Sequence, residues 1–393
     1  MHPLDGVRVV DFTTMLNGPY TTTLLSDMGA EVVKVEPPDG DPWRNVGGGF
    51  AAVNRGKRAI CLDLKKEKAR QIACQLIERS DVVVENARWG VWHRLGLDYD
   101  SLLGNKPDLI YVSVLGHGSS GPRSSTPGYD PLLQSRSGES IAQGGYGKPP
   151  VFHQIAINDM ATPILGAYGA VLALLARART GKGQHVESSL TNASIALQSG
   201  DFVDYAGMER EYKGDTGIKG LNATHRFYEA GDRRWVFVMC RREEHWRSLC
   251  EVLQLEGLLS DPRFESDEER EKNDKALVEA LSRAFQDKSS GEWLDALSKA
   301  NVPSALGQSS QEVIHDPHCD ANSLFVEMRD PQFGPMRILG AGPKLSRTPG
   351  IVRRPAPMLG QHTEEVLTEL GYTEEQITEL KDRRIVIQAH VPE

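Results

Sequence analysis

Between Asp159 and Arg177 seventeen consecutive residues carry no charge, MATPILGAYGAVLALLA, and a lone carboxylate stands at their head. A run of that length and character is either a core helix or a membrane span, and the rest of the chain must be built around it. It contains Gly166, Tyr168 and Gly169 and is slightly short for a bilayer, so we expect a buried core helix. Proline is tolerated in a first helical turn, where the amide it lacks has no intrahelical partner. Pro163 therefore predicts a helix beginning near Ala161, with Asp159 just before it or at its N-cap. Unpaired amides and the positive end of the dipole favour a carboxylate there by about 0.3–1 kcal/mol. An aspartate so placed is expected to stay ionised and to serve as a nucleophile. An ordinary capping aspartate is the plainer alternative.

Upstream of that run the pattern alternates. Val7–Phe12 (VRVVDF) reads as a buried strand, Pro19 to Met28 as a helix closed by Gly29, and Glu31–Glu36 (EVVKVE) as a second strand. Further strands are expected at Arg58–Leu64, Asp81–Glu85, Leu109–Leu115 and Gln184–Ser188, with helices at Lys65–Arg79 and Leu190–Tyr205. Near-continuous Val, Ile and Leu between helices implies an α/β fold with a Rossmann-like parallel sheet covered on both faces. The turn after the first strand reads TTMLNGP, not GxGxxG. Glu36 mimics the ribose-binding acid of dinucleotide enzymes, but without the glycines no nicotinamide cofactor is expected.

From about Tyr212 the character changes. Lys213 to Gly220 (KGDTGIKG) reads as a linker or lid, followed by paired strands at Arg226–Tyr228 and Trp235–Met239. Helices are expected at Glu243–Leu255, Ser266–Asp287 and Gly291–Ala300. The organisation is then a large domain over 1–210, an inserted smaller α+β domain over 211–325, and a segment 326–393 returning to the large domain as two short helices.

The length of 393 residues suits two domains, and the net charge of -9 argues against nucleic acid or an acidic membrane as a partner. The N-terminus, MHPLDGVRVV, has no basic region followed by an apolar stretch. Five scattered cysteines without a CxxC suit a reducing cytoplasm. His315 and His318 near Cys319 come closest to a ligand cluster, but they fall in a polar loop, and no metal is expected.

Seven stretches together resemble the family III CoA-transferases, the group of formyl-CoA, carnitine-CoA and related transferases that includes α-methylacyl-CoA racemase. They are LDGVRVVDFT…GP, GAEVVKVEPPDGDPWR, NRGKRAICLDLK, DVVVENARWGVWHRLGLDY, GPRSSTPGYDPLLQSRSG, the Asp159 run ending ARTGKGQHVESSL, and LGQHTEEVLTELG, in family order over essentially the whole chain. The resemblance implies that Asp159 forms covalent intermediates while coenzyme A moves between an acyl-CoA and a small carboxylic acid. It implies coenzyme A contacts at Leu62, Lys65, Asn86, Arg88 and Arg94. It also implies an interlocked homodimer with the active site between domains and subunits. Lys65 and Asn86 follow the C-terminal ends of predicted strands, where open α/β sheets bind ligands. Arginine grips phosphate bidentately, which suits Arg88 and Arg94, and a solvated charge is the bland alternative for each.

Two departures stand out. Ala87 replaces an aromatic common in its motif, and the run of adjacent glycines of formyl-CoA transferases is missing. The acyl pocket is expected near Leu16–Asn17, Gly47–Phe50, Tyr129, Gly138–Tyr146 and His153. Oxyanion donors are sought at Gly144-Gly145 or in the Gly214–Gly220 loop. Arg136 or Lys148 could pair with a second carboxylate. A racemase is the main rival, needing an acid and a base on opposite faces of the α-carbon. Where the family's racemases carry a histidine, this chain reads Gly128-Tyr129-Asp130, and tyrosine, of pKa about 10, is a poor substitute. His153 or His117 could compensate. A non-catalytic CoA-binding protein on the same scaffold is the rival from another class.

Overall fold

Five runs rich in Val, Ile and Leu and one polar run, QHVESS, line up as parallel strands in the computed structural model, which describes residues 1–208 and 214–388. They are β1 (Arg8–Asp11), β2 (Glu31–Glu36), β3 (Arg58–Leu62), β4 (Val82–Glu85), β5 (Ile110–Leu115) and β6 (Gln184–Ser189). Their order across the sheet is β3-β2-β1-β4-β5-β6, with Val386–Ile387 added antiparallel on β3 at the edge. The order reverses between β1 and β4, and the crevice above such a switch point is where open α/β sheets bind ligands.

Both faces are covered, which is why β1 to β5 are rich in Val, Ile and Leu. On one face Val9, Val32, Val84, Ile110 and Val112 meet α1 (Asn17–Asp27) and α4 (Ile157–Thr180). On the other, Val10, Val33, Ile60, Val83 and Tyr111 meet α2 (Glu67–Glu78) and the C-terminal helices Thr363–Leu370 and Glu374–Asp382. The tail is stitched on by His362 N–H to Ala59 C=O at 2.9 Å and Asp63 N–H to Ile385 C=O at 3.0 Å. Two shorter helices matter for the site, α3 (Asp130–Arg136) and α5 (Leu190–Leu197).

The organising run departs from expectation in two ways. Its helix, α4, begins at Ile157, four residues earlier than Pro163 suggested. Pro163 therefore lies inside the helix and removes the amide that would have served the Asp159 carbonyl. The helix is also not buried in the chain. Gly166, Ala167, Ala170 and Ala173 press against the sheet layer, while Ile157, Met160, Ile164, Tyr168, Leu172 and Leu175 form an exposed stripe. Small residues let the backbone approach; a Cβ at Gly169 would stand 2.6 Å from Val186 Cγ1. By length and composition α4 could cross a membrane, and 28% of its most apolar window is buried.

Residues 1–140, 152–208 and 317–388 cluster as one unit, residues 141–151 and 214–316 as another. The second unit holds an antiparallel sheet, β10-β9-β8-β7, made from β7 (Gly220–Asn222), β8 (His225–Glu229), β9 (Trp235–Met239) and β10 (Ser304–Leu306). Tyr228, Val236 and Val238 pack there against Trp246, Leu281, Phe285 and Trp293. The helix expected at Ser266–Asp287 breaks at Asn273 into Asp267–Lys272 and Asp274–Phe285, and α5 stops at Leu197 rather than Tyr205. Lys213 and the expected 210/211 boundary lie outside the described residues.

Candidate active site

The turn after β1 takes its shape from buried charge instead of glycines. Asp11 Oδ2 accepts from Lys57 Nζ at 2.9 Å and Thr22 Oγ1 at 2.6 Å. Lys57 also donates to the carbonyls of Pro19 and Val53 and to Asn54 Oδ1. Lys34 Nζ reaches Thr13 C=O at 2.7 Å and Asp41 Oδ2 at 3.0 Å, and Asp41 Oδ1 accepts the amide of Met15 at 2.9 Å. All four charged side chains are essentially inaccessible to water. Burial pulls the Lys57 ammonium down to about 8. Burial opposes ionisation of Asp11, yet Lys57 and Lys34 hold its carboxyl below the usual range. The cage fixes Met15 at φ 70°, a left-handed conformation that costs a non-glycine residue about 1–2 kcal/mol. Glu36, the imitation ribose acid, is spent on Arg44 at 2.8 and 2.6 Å.

On that turn stands Asn17. Its Oδ1 accepts from Asn86 Nδ2 at 3.0 Å, and its Nδ2 donates to Asp159 Oδ1 at 3.2 Å. Asn86, just past β4, also exchanges both hydrogen bonds with the Thr14 backbone, at 2.8 and 2.9 Å. Gly18 has to be glycine for this approach, because a Cβ there would lie 2.8 Å from Asn86 Cγ. A chain of amides thus runs across the switch point to Asp159.

Asp159 is neither the cap of α4 nor just before it. It sits in the first turn, and the capping carboxylate is Asp130, whose Oδ2 accepts the N–H groups of Asn158 at 2.7 Å and Asp159 at 3.0 Å. Asp130 Oδ1 accepts from Gln134, which in turn brackets the His153 backbone at 3.0 Å on both sides. This arrangement overturns the expectation that Asp159 stays fully ionised. Burial and the neighbouring Asp130 charge push its carboxyl up to about 7, against the Asn17 hydrogen bond.

Asp159 opens on a cavity of about 230 Å³ lined also by Met15, Leu16, Asn17, Trp43, Asn86, Arg88 and Tyr129. Tyr129 is 57% exposed there. His153 and His117 are not among the lining residues; His117 turns its ring nitrogens to Pro127 C=O and Thr191 Oγ1. Arg88, Arg94 and Lys65 are exposed and make no ion pair among the described residues. The side chain of Leu62 is fully buried in the sheet core, and that of Asn86 is committed to the turn. Lys148 pairs with Asp215 at 2.8 Å, and the Gly145 amide is spent on Ile141 C=O. Among the described residues no group of three His, Cys, Asp or Glu could hold a metal ion. Sequence reasoning missed the capping role of Asp130 and the Asp11–Lys57 cage; the acid of the Gly-Tyr-Asp motif was the available signal for the first.

Residues 4–363 match the model of CoA-transferase family III. The chain is 32% identical to the human succinyl-CoA:glutarate CoA-transferase, over 98% of this chain and 90% of that protein. It is 34% identical to the acetyl-CoA:oxalate CoA-transferase of Acetobacter aceti, over 83% of this chain and 86% of that one. The crystal structure of a CAIB/BAIF family protein from Brucella suis superimposes with a TM-score of 0.85 at 30% identity, covering 94% of this chain and 99% of that one.

Proposed function

The chain belongs to CoA-transferase family III and is a CoA-transferase, and from that premise we propose that Asp159 carries the acyl group and coenzyme A in turn. The observation that carries the reading is the placement of Asp159, on the cavity floor and held by Asn17 at 3.2 Å. Its carboxylate oxygen attacks the acyl-CoA thioester carbonyl; the C–S bond breaks, giving a mixed anhydride and CoA thiolate. The thiolate attacks the aspartyl carbonyl, the first acid leaves as its carboxylate, and an aspartyl-CoA thioester remains. An incoming carboxylate reverses both steps and leaves as the new acyl-CoA. No net proton is taken up. Each step develops an oxyanion, and the Asn17 amide, already on Asp159, is the donor at hand.

Lys65, Arg88 and Arg94 are the cations for the CoA phosphates, since none is paired with an acid among the described residues. Asn86 contributes as turn support, while the side chain of Leu62, buried in the sheet core, backs the site from within and meets no ligand. The relatives named above exchange CoA onto dicarboxylic acids, which makes a small acid of that kind the first acceptor to test. The exposed stripe of α4 is the surface on which a second copy docks to form the homodimer. Tyr129 on the cavity, with both nearby histidines off it, favours transfer over racemisation.

The test is a donor-by-acceptor assay with succinyl-CoA and acetyl-CoA against a panel of acids, read by mass spectrometry. Hydroxylamine or borohydride trapping during turnover is expected to label Asp159. Label on another residue, or deuterium entering the α-carbon without CoA transfer, would overturn the reading.

A further inference from the structure

At the amino ends of β1, β2 and β3 the sheet carries charge where its interior carries valine. Arg8 lies beside Glu31 in the parallel register, and Val33, two residues further along β2, lies beside Arg58. Side chains two apart on a strand share a face. Arg8 and Glu31 therefore project from the same face as Val10 and Val33, the one packed against α2 and the C-terminal helix Thr363–Leu370. Those helices do not close over the sheet edge. A cavity of about 320 Å³ remains there, at the low end of the range for small-molecule sites. Its floor is Val10, Val33, Leu76 and Val366, all buried, with Leu370 half-buried beside them. It shares no lining residue with the Asp159 cavity, which opens past the carboxyl ends of β4 and β5.

Charged side chains ring the mouth: Arg8, Arg58, Arg79, Glu31 and Glu369. Arg58 is spent, donating to Glu365 at 2.7 Å and to Glu369 at 2.6 Å. Arg79, just past α2, donates to the carbonyls of Glu369 and Leu370, the latter at 3.1 Å, and pairs with no acid among the described residues. Arg8 and Glu31 are both exposed. Although they are register neighbours, neither makes a side-chain hydrogen bond or ion pair among the described residues. With Glu365 counted, the three arginines are balanced by three carboxylates, so an anion gains nothing from the net charge of the rim. The rim offers separated charges instead: guanidinium donors at Arg8 and Arg79, a carboxylate at Glu31, and apolar ground beneath them. Guanidinium grips a carboxylate bidentately, and a carboxylate takes an ammonium by charge-assisted hydrogen bonds.

We propose that this cavity binds an apolar α-amino acid as its zwitterion, with the carboxylate on Arg8 and Arg79, the ammonium on Glu31, and the side chain on the valine and leucine floor. A plain carboxylic acid leaves Glu31 as a like charge at its side, and a plain amine meets two guanidinium groups. The bound molecule lies at the far edge of the sheet from Asp159 and on the face away from α4. It ties the C-terminal helix to the sheet without entering the Asp159 cavity, and its occupancy does not depend on acyl transfer.

The probes are leucine and two molecules that each keep half of its polar end: isocaproate, without the ammonium, and isoamylamine, without the carboxylate. Each is titrated calorimetrically into the wild-type chain, Arg8→Gln and Glu31→Gln. Loss of a hydrogen bond to a charged partner predicts leucine binding about tenfold to a hundredfold weaker in either variant. Isocaproate and isoamylamine should bind the wild type more weakly than leucine by a similar factor, and the advantage of leucine over isocaproate should vanish in Glu31→Gln. Both side chains are exposed, so the variants should keep the wild-type Tm. Leucine should bind equally well to enzyme saturated with coenzyme A. No leucine binding by the wild type, or binding unchanged in both variants, would overturn the site. Isocaproate binding as tightly as leucine would make it a carboxylate site and overturn the zwitterion. Displacement of leucine by coenzyme A would place it at the Asp159 cavity and overturn the assignment as well.

Discussion

The backbone N–H of Asp159 donates to Asp130 Oδ2 at 3.0 Å, and the same oxygen takes the neighbouring Asn158 amide at 2.7 Å. The cap of α4 thus comes from a different element, which frees the Asp159 side chain for the cavity. It also sets a like charge beside a partly buried carboxylate, where the dipole of the helix would otherwise have held it ionised.

Activity should therefore carry an acid limb with an apparent pKa of about 7. Below it the rate falls about tenfold per pH unit, because in the proposed mechanism only the carboxylate attacks. Asn17→Ala removes the hydrogen bond that favours the charged form and should move the limb up. Asp130→Asn removes the opposing charge and should move it down. A pH profile of kcat/KM with a limb near 4 in the wild type would contradict this account.

The same shift makes a stability prediction. With a folded value of about 7 against an ordinary 3.8, the folded chain binds more protons at Asp159 than the unfolded chain between those values. Stability contributed by the neutral form is present at low pH and lost as pH rises through that window. Asp159→Asn escapes the loss, by at most about 4 kcal/mol. Its Tm should exceed that of the wild type at pH 8, and the gain should shrink toward pH 4 in calorimetry.

Asp130→Ala leaves the Asn158 and Asp159 amides without their acceptor. Loss of a cap costs about 0.5–2 kcal/mol, and kcat should fall further because α4 is no longer held at its start. Asp130→Asn, which keeps an oxygen acceptor, should recover most of the stability. Melting curves of the two variants side by side make the comparison; equal losses would show that the cap does not matter.

Lys57→Met strands the Asp11 carboxylate in a site closed to water. Breaking a buried ion pair from one side costs about 3–5 kcal/mol. The double variant Asp11→Asn with Lys57→Met should be more stable than Lys57→Met alone, since no uncompensated charge remains. Urea unfolding of the three proteins tests the order.

Ile164 and Tyr168 are 58% and 62% exposed on an apolar stripe, which is the proposed seat of a second copy. Glutamate at either position should convert a dimer to monomers on dilution, read by light scattering. A wild-type chain that is a monodisperse monomer would remove the dimer from the picture.

Much of this was legible beforehand. Alternating apolar runs and turns give β1 to β5 within a residue or two, because strands covered on both faces must be Val- and Ile-rich, and the polar β6 follows from its place after the long helix. The start of α4 escapes the sequence because Pro163 suits a first turn, and nothing local says that an aspartate from α3 caps the helix four residues earlier. Ser266–Asp287 has one amphipathic period throughout, and only its packing shows the break at Asn273.

The order of chemical types along the chain, by itself, determined the parallel sheet, the family and the single acid heading an uncharged run. Tertiary structure alone decided how that acid behaves. Its hydrogen-bond donor is 142 residues away in sequence and the carboxylate that caps its helix 29 away, so its ionisation reports neighbours that no local window contains. The face of α4 left bare was decided in the same way, since periodicity says which residues are apolar and not what lies against them.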